Sequence, residues 1–196
     1  MSIDCKTLGF KENLSRENGS DFFLNNLVSF LNKISSNATK FVAKASGNWS
    51  NLSIGDKGSI PTSADTVYID GYSITINVKL EVNSIVSSNN SDKNHTSLNI
   101  IDTLTVIREF NVTAENILRD IDIIVNGNGV LTVNENMNFT RTANNVTSNK
   151  LQFYMYDNAK TYILGELSYY YKNASTLETS FDIYTASNAI LGMRTK

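Results

Sequence analysis

The chain contains one cysteine, Cys5, so no internal disulfide forms and no metal cluster can be built from thiolates. It has one histidine, His95, and no Gly-x-Ser-x-Gly or glycine-rich phosphate loop, so nucleophilic and phosphoryl-transfer machinery is not visible. It has one proline, Pro61, and one tryptophan, Trp49. Charged residues make up only 18% of the chain and the formal net charge is −2, which excludes a polybasic footprint for nucleic acid or an anionic membrane. No apolar run reaches the eighteen or so residues of a membrane span. Asparagine, by contrast, is the commonest residue, followed by serine and threonine. That composition suits polar turns and strands and makes poor helices.

Organisation comes from a repeat in residues 121–193. Ile121-Asp122-Ile123-Ile124-Val125 is followed thirty residues later by Leu151-Gln152-Phe153-Tyr154-Met155, and thirty further on by Phe181-Asp182-Ile183-Tyr184-Thr185. Each run alternates apolar with outward-type residues, the period of a half-buried strand. Asn128, Asn158 and Asn188 share the same spacing. Behind each asparagine comes a second short strand, Leu131-Thr132-Val133, Thr161-Tyr162-Ile163 and Ala189-Ile190-Leu191. A third follows in two cases, Met137-Asn138-Phe139 and Leu167-Ser168-Tyr169.

A fixed period of this length signals a stacked architecture. Three short strands per period predict an all-β, right-handed, single-stranded parallel β-helix of about five coils, the hand following from the bias of parallel crossovers. Coil one is read as 67–69, 74–76 and 80–82, with a polar loop at 87–97. Coil two is read as 98–100, 104–106 and 110–112, and the repeat supplies the rest. A last coil starts at Phe181 and stops after two strands, leaving an edge that predicts pairing with another chain or continuation of the stack.

Residues 1–40 are read as a polar segment and an N-terminal capping helix. Ser20 or Asp21 would cap it, and Phe23, Leu27, Phe30, Leu31 and Ile34 form one apolar face. Residues 22–38 also fit a degenerate secretion signal, although acids dilute its charged start and Asn25 and Asn26 interrupt its apolar core.

Residues 41–66 are an entry segment holding Gly47-Asn48-Trp49-Ser50 and then Ile60-Pro61-Thr62-Ser63-Ala64-Asp65, and 67–196 are the coils. Trp49 is read as the plug over the first coil's core, and Pro61 as the end of the preceding segment. Tryptophan, then Pro61-x-x-x-Asp65-x-Val67-x-Ile69, then Gly71 and a second strand resembles the start of bacterial cell-surface β-helix proteins, and of the eight-glycine domain family, over about residues 41–85. The chain lacks most glycines of that family. The resemblance implies a secreted or surface-attached bacterial solenoid, often one module of a longer protein.

Outward positions on the first face form two expected rows. One reads Asn99, Asp122, Gln152, Asp182, and the next Ile124, Tyr154, Tyr184. Tyrosine rings beside carboxylates and amides suit stacking on sugar faces and bonding to sugar hydroxyls. The same rows also suit a solvated ladder with cross-strand stacking. As a catalytic pair Asp122 and Asp182 are poor, because two coils separate them by about 10 Å. Thr75, Thr105 and Thr132 form a short outward row on the second face, broken by Tyr162. Asn128, Asn158 and Asn188 are read as a structural ladder. The Asn-x-Ser/Thr triplets at Asn48, Asn111, Asn138 and Asn173 carry no weight in a chain of this composition.

Two functions follow. The first is a non-catalytic structural or adhesive module of a bacterial surface or secreted protein, with a polysaccharide or a cell-surface protein as partner and no cofactor. The second is a carbohydrate-binding module, or a lyase- or hydrolase-like carbohydrate-active enzyme, working through Asp122, Gln152, Tyr154, Asp182 and Tyr184.

Overall fold

A computed structural model describes residues 38–89, 95–115, 120–142, 150–171 and 181–193. The chain divides into two compact units, Met1–Asn37 and Ala38–Lys196. The described residues all belong to the second, so the expected capping helix lies outside them.

The second unit is an all-β parallel solenoid. Its entry strands are β1 (Thr39–Val42) and β2 (Gly47–Asn48). Five three-strand turns follow. They are β3 (Asp65–Asp70), β4 (Ser73–Ile76), β5 (Leu80–Val82); β6 (Ser84–Ser88), β7 (Thr96–Ile100), β8 (Thr103–Val106); and β9 (Phe110–Ala114), β10 (Ile121–Val125), β11 (Val130–Val133). The last two are β12 (Met137–Arg141), β13 (Leu151–Met155), β14 (Lys160–Ile163) and β15 (Leu167–Tyr171), β16 (Phe181–Thr185), β17 (Ile190–Met193). The first sheet is β2-β4-β7-β10-β13-β16, the second β5-β8-β11-β14-β17 and the third β1-β3-β6-β9-β12-β15. Every strand pair is parallel. Among the described residues no helix is long and apolar enough to cross a membrane.

Inward side chains stack in rows that are mostly apolar. One row of the first sheet runs Ile74, Leu98, Ile123, Phe153, Ile183. On the second sheet Val82, Val106, Val133, Ile163 and Met193 stack. On the third, Ile69, Ser87, Val112, Phe139 and Tyr169 do so. The inward side chains are buried through the middle turns and become exposed at the last one. There the inward positions Tyr169, Ile183 and Met193 are 37%, 42% and 55% exposed. Main-chain bonds run along the stack at every rung, as an isolated turn could not arrange for itself.

Polar residues break some of these rows, Ser87 between Ile69 and Val112 among them. Thr161 lies between Leu131 and Leu191, fully buried, and its hydroxyl has no hydrogen-bond partner. An unmet buried hydroxyl costs about 1–3 kcal/mol, and valine has nearly the same shape. Thr161→Val is therefore expected to raise the unfolding free energy by about 1 kcal/mol in a urea melt. A loss of stability would mean that the hydroxyl is satisfied in solution.

The turn count needs one correction to the sequence reading. Residues 84–88 form β6, where the start of a polar loop was expected. Its inward residues are Ile85 and Ser87, while the apolar Val86 points outward, so the strand shows no apolar alternation. The extra strand shifts the phase. Val67-Tyr68-Ile69 stacks with 110–112 on the third sheet, not with 98–100. The turn β15-β16-β17 then has all three strands. The threonine row changes too, because Thr75 pairs with Asn99 on the first sheet while Glu81 stands beside Thr105 on the second.

Corner length explains where the thirty-residue repeat fades. The corner 126–129 closes through Gly129 N–H to the Asn126 carbonyl at 2.9 Å, and 156–159 through Ala159 N–H to Tyr156 at 3.1 Å. The preceding corner, between β7 and β8, has only residues 101 and 102. That shorter corner brings the Ile100 carbonyl under Gly129, where an added Cβ would lie 2.2 Å from it. Hence glycine stands at 129, where the next two turns carry Ala159 and Ala189.

Candidate functional site

The entry segment is built around Asp65. Its Oδ2 accepts the Thr62 N–H and the Thr62 hydroxyl, both at 2.9 Å. Its Oδ1 accepts the Lys57 ammonium at 2.5 Å and the Thr39 hydroxyl. Burial by itself would raise the carboxyl pKa, but Lys57, Thr39 and Thr62 together hold it at about 2. Asp65 thus ties β1, β3 and the segment between them. Trp49, 2% exposed, stacks obliquely on Phe41 with ring centroids 5.9 Å apart, and Pro61 is buried. Gly55 lies against the Phe41 ring, where any Cβ would fall 2.0 Å from Cζ. Trp49 and Pro61, the two residues read as the cap, are thus both buried in the entry segment.

The outer face of the first sheet is the candidate site. Its registers are Ser73, Ser97, Asp122, Gln152, Asp182 and then Thr75, Asn99, Ile124, Tyr154, Tyr184. Asn99 therefore belongs to the tyrosine row, two residues from the expected place. β7 starts at Thr96 and is as long as β10, a match that reading only the triplet 98–100 conceals. The other expected site residues, Asp122, Gln152, Tyr154, Asp182 and Tyr184, fall as expected.

Tyr156 joins them, two residues beyond Tyr154 on the same side of the chain. Tyr154 and Tyr156 are nearly parallel, 5.5 Å between centroids. Tyr184, 52% exposed, lies 6.2 Å from Tyr154 and 5.7 Å from Tyr156. The sequence signal for Tyr156 was its i+2 spacing from Tyr154, obscured by its place at the start of a turn.

Carboxylates border the rings. Gln152 Nε2 donates to Asp182 Oδ2 at a long 3.4 Å. Asp122 Oδ1 is buried without a hydrogen-bond partner. Burial raises the Asp122 pKa, and the charge of Asp120 adds to that. His95 and Lys150 act the other way. Burial likewise raises the Tyr154 phenol, helped by Asp122, Tyr156, Asp182 and Asp120. At the margin the Lys150 N–H donates to Asp120 Oδ1 at 2.6 Å, and the Asp120 N–H to His95 Nδ1 at 2.8 Å. Among the described residues no group of three or more His, Cys, Asp or Glu side chains is placed to hold a metal ion.

Asn128, Asn158 and Asn188 occupy matching corners, and all three are exposed. The bond that runs along the stack there is main-chain, from Asn158 N–H to the Gly127 carbonyl at 3.0 Å. A side-chain ladder does exist on the third sheet. Asn138 Nδ2 donates to Asn111 Oδ1 at 2.8 Å, and Ser168 Oγ to Asn138 Oδ1 at 2.8 Å. Alternation alone places these residues outward, but their stacking depends on the turn phase.

No protein-family model matches the chain, and comparison with curated proteins and with solved structures finds no similar protein.

Proposed function

We propose that the chain is a non-catalytic adhesive module of a bacterial surface or secreted protein, and that it recognises carbohydrate through the outer face of its first sheet. The observation that carries this is the outward cluster of Tyr154, Tyr156 and Tyr184 bordered by Asp122, Gln152 and Asp182. A soluble protein gains little from grouping three tyrosines on a strand face for its own stability, since each cross-strand pair contributes only about 0.2–1 kcal/mol. Aromatic faces beside amides and carboxylates match the alternating apolar and hydroxyl surfaces of a sugar. The stacked core beneath holds the rings on a rigid sheet, so little ordering is needed on binding. The surface or secreted location rests on the resemblance of residues 41–85, and the right-handed coiling on the bias of parallel crossovers.

A depletion assay against insoluble and soluble polysaccharides tests this, scoring both bound protein and released sugar ends. Binding is expected without product, and Tyr184→Ala is expected to weaken it roughly tenfold or more, as loss of a stacking anchor does. Binding unchanged in Tyr154→Ala and Tyr184→Ala would remove the face from the reading. Released reducing or unsaturated ends would make the module an enzyme.

A further inference from the structure

We infer that the glycan taken by the tyrosine face carries free amino groups, as a polymer of glucosamine does; this rests on the carbohydrate reading above. Among the described residues, the charges within the rows of that face are acidic. Asp122 and Asp182 stand in the row beside Tyr154 and Tyr184, and Asp120 stands at the margin, two residues before Asp122. Among the described residues, Lys150, whose backbone N–H bonds to Asp120, and His95, whose Nδ1 accepts the Asp120 N–H, stand at the margin of the face and outside its rows. A uronic acid polymer would bring its carboxylates against this row and meet like charge.

Asp122 Oδ1 supplies a second, independent reason. The Asp122 carboxylate is half-buried, with Oδ1 out of solvent and without a hydrogen-bond partner, so a cation held over the face compensates a charge that the sheet does not. Asp182 is exposed, and its contact within the sheet is the long one from Gln152. The tyrosine faces add attraction of the same sign, because a ring face draws an ammonium group. Asp122 and Asp182 lie two strands apart, about 10 Å, and would therefore meet different residues of one bound chain. Sugar rings stack on Tyr184 and Tyr154 while amines reach the two carboxylates.

The test is calorimetric titration of the whole chain, in low salt and mildly acidic buffer, with three oligomers of equal length: glucosamine, N-acetylglucosamine and galacturonate. The glucosamine oligomer is expected to bind roughly three- to tenfold tighter than the acetylated one, the scale of one or two partly exposed charge pairs. Galacturonate is expected not to bind. Asp122→Asn with Asp182→Asn should erase the preference for the glucosamine oligomer over the acetylated one, and an unchanged urea melt shows that the variant is folded. Equal affinity for the two glucosamine forms, or a preference for galacturonate, would overturn the charge assignment while leaving the carbohydrate face in place. Binding of none of the three, with none in the depletion assay, would overturn both.

Discussion

Phe139→Ala is expected to lower the unfolding free energy by about 3–5 kcal/mol, the range for deleting a buried aromatic ring. Phe139 is fully buried in the third sheet and touches two further rings, Phe153 at 6.1 Å and Phe181 at 4.4 Å between centroids. Phe181 sits one rung further along, so Phe139 joins the penultimate turn to the last. Removing it leaves a void that the ladders above and below hold open, because main-chain pairing fixes the strand spacing. The same truncation at Tyr169, one rung on in the same inward row but 37% exposed, should cost about a third as much. Denaturant melts of the two variants measure the contrast. Equal losses would mean that the last turn is as well packed in solution as the one before it.

Asp65→Ala is expected to cost at least about 2 kcal/mol at neutral pH, and to abolish a specific acid lability. The folded carboxyl titrates at about 2, below its ordinary 3.8. A depressed acid stabilises the fold most when both states are ionised, so the contribution is full above about pH 4 and is lost as pH falls toward 2. The shift corresponds to about 2 kcal/mol. Truncation also leaves the Lys57 ammonium and the Thr62 N–H without their acceptor. Melting curves of wild type and variant should diverge above pH 4 and converge near pH 2. A constant gap across that range would mean that Asp65 acts by packing and not by charge.

Much of this was legible in the sequence. Period-two alternation in Ile121–Val125, Leu151–Met155 and Phe181–Thr185 gave the strands, and thirty-residue spacing gave their register. Turn phase was harder to read upstream, because corners there are shorter and Ser84–Ser88 offers one large apolar residue to the core. Counting from the triplet Leu98-Asn99-Ile100 displaced Asn99 by two. Asp65 stood inside the motif Pro61-x-x-x-Asp65, yet its role depends on Thr39, twenty-six residues away and brought near only by pairing of β1 with β3. The asparagine corners carry a different signal. Equal spacing of Asn128, Asn158 and Asn188 reflects equal turn length, and equal turn length is kept there by main-chain bonds. Tyr154 and Tyr184 were visible as an outward row; Tyr156 needed the strand's true end.

The most direct measurement is a titration of the whole chain, with tyrosine rings isotopically labelled, followed by NMR as a soluble glucosamine oligomer is added. Of the nine tyrosines, Tyr154, Tyr156 and Tyr184 are expected to shift together with one affinity, while Tyr68, Tyr162 and Tyr170 stay in place. Shifts centred on Tyr162 or Tyr170, or unmoved rings at an oligomer concentration that saturates the depletion assay, would contradict the assignment of the first sheet's outer face as the recognition surface.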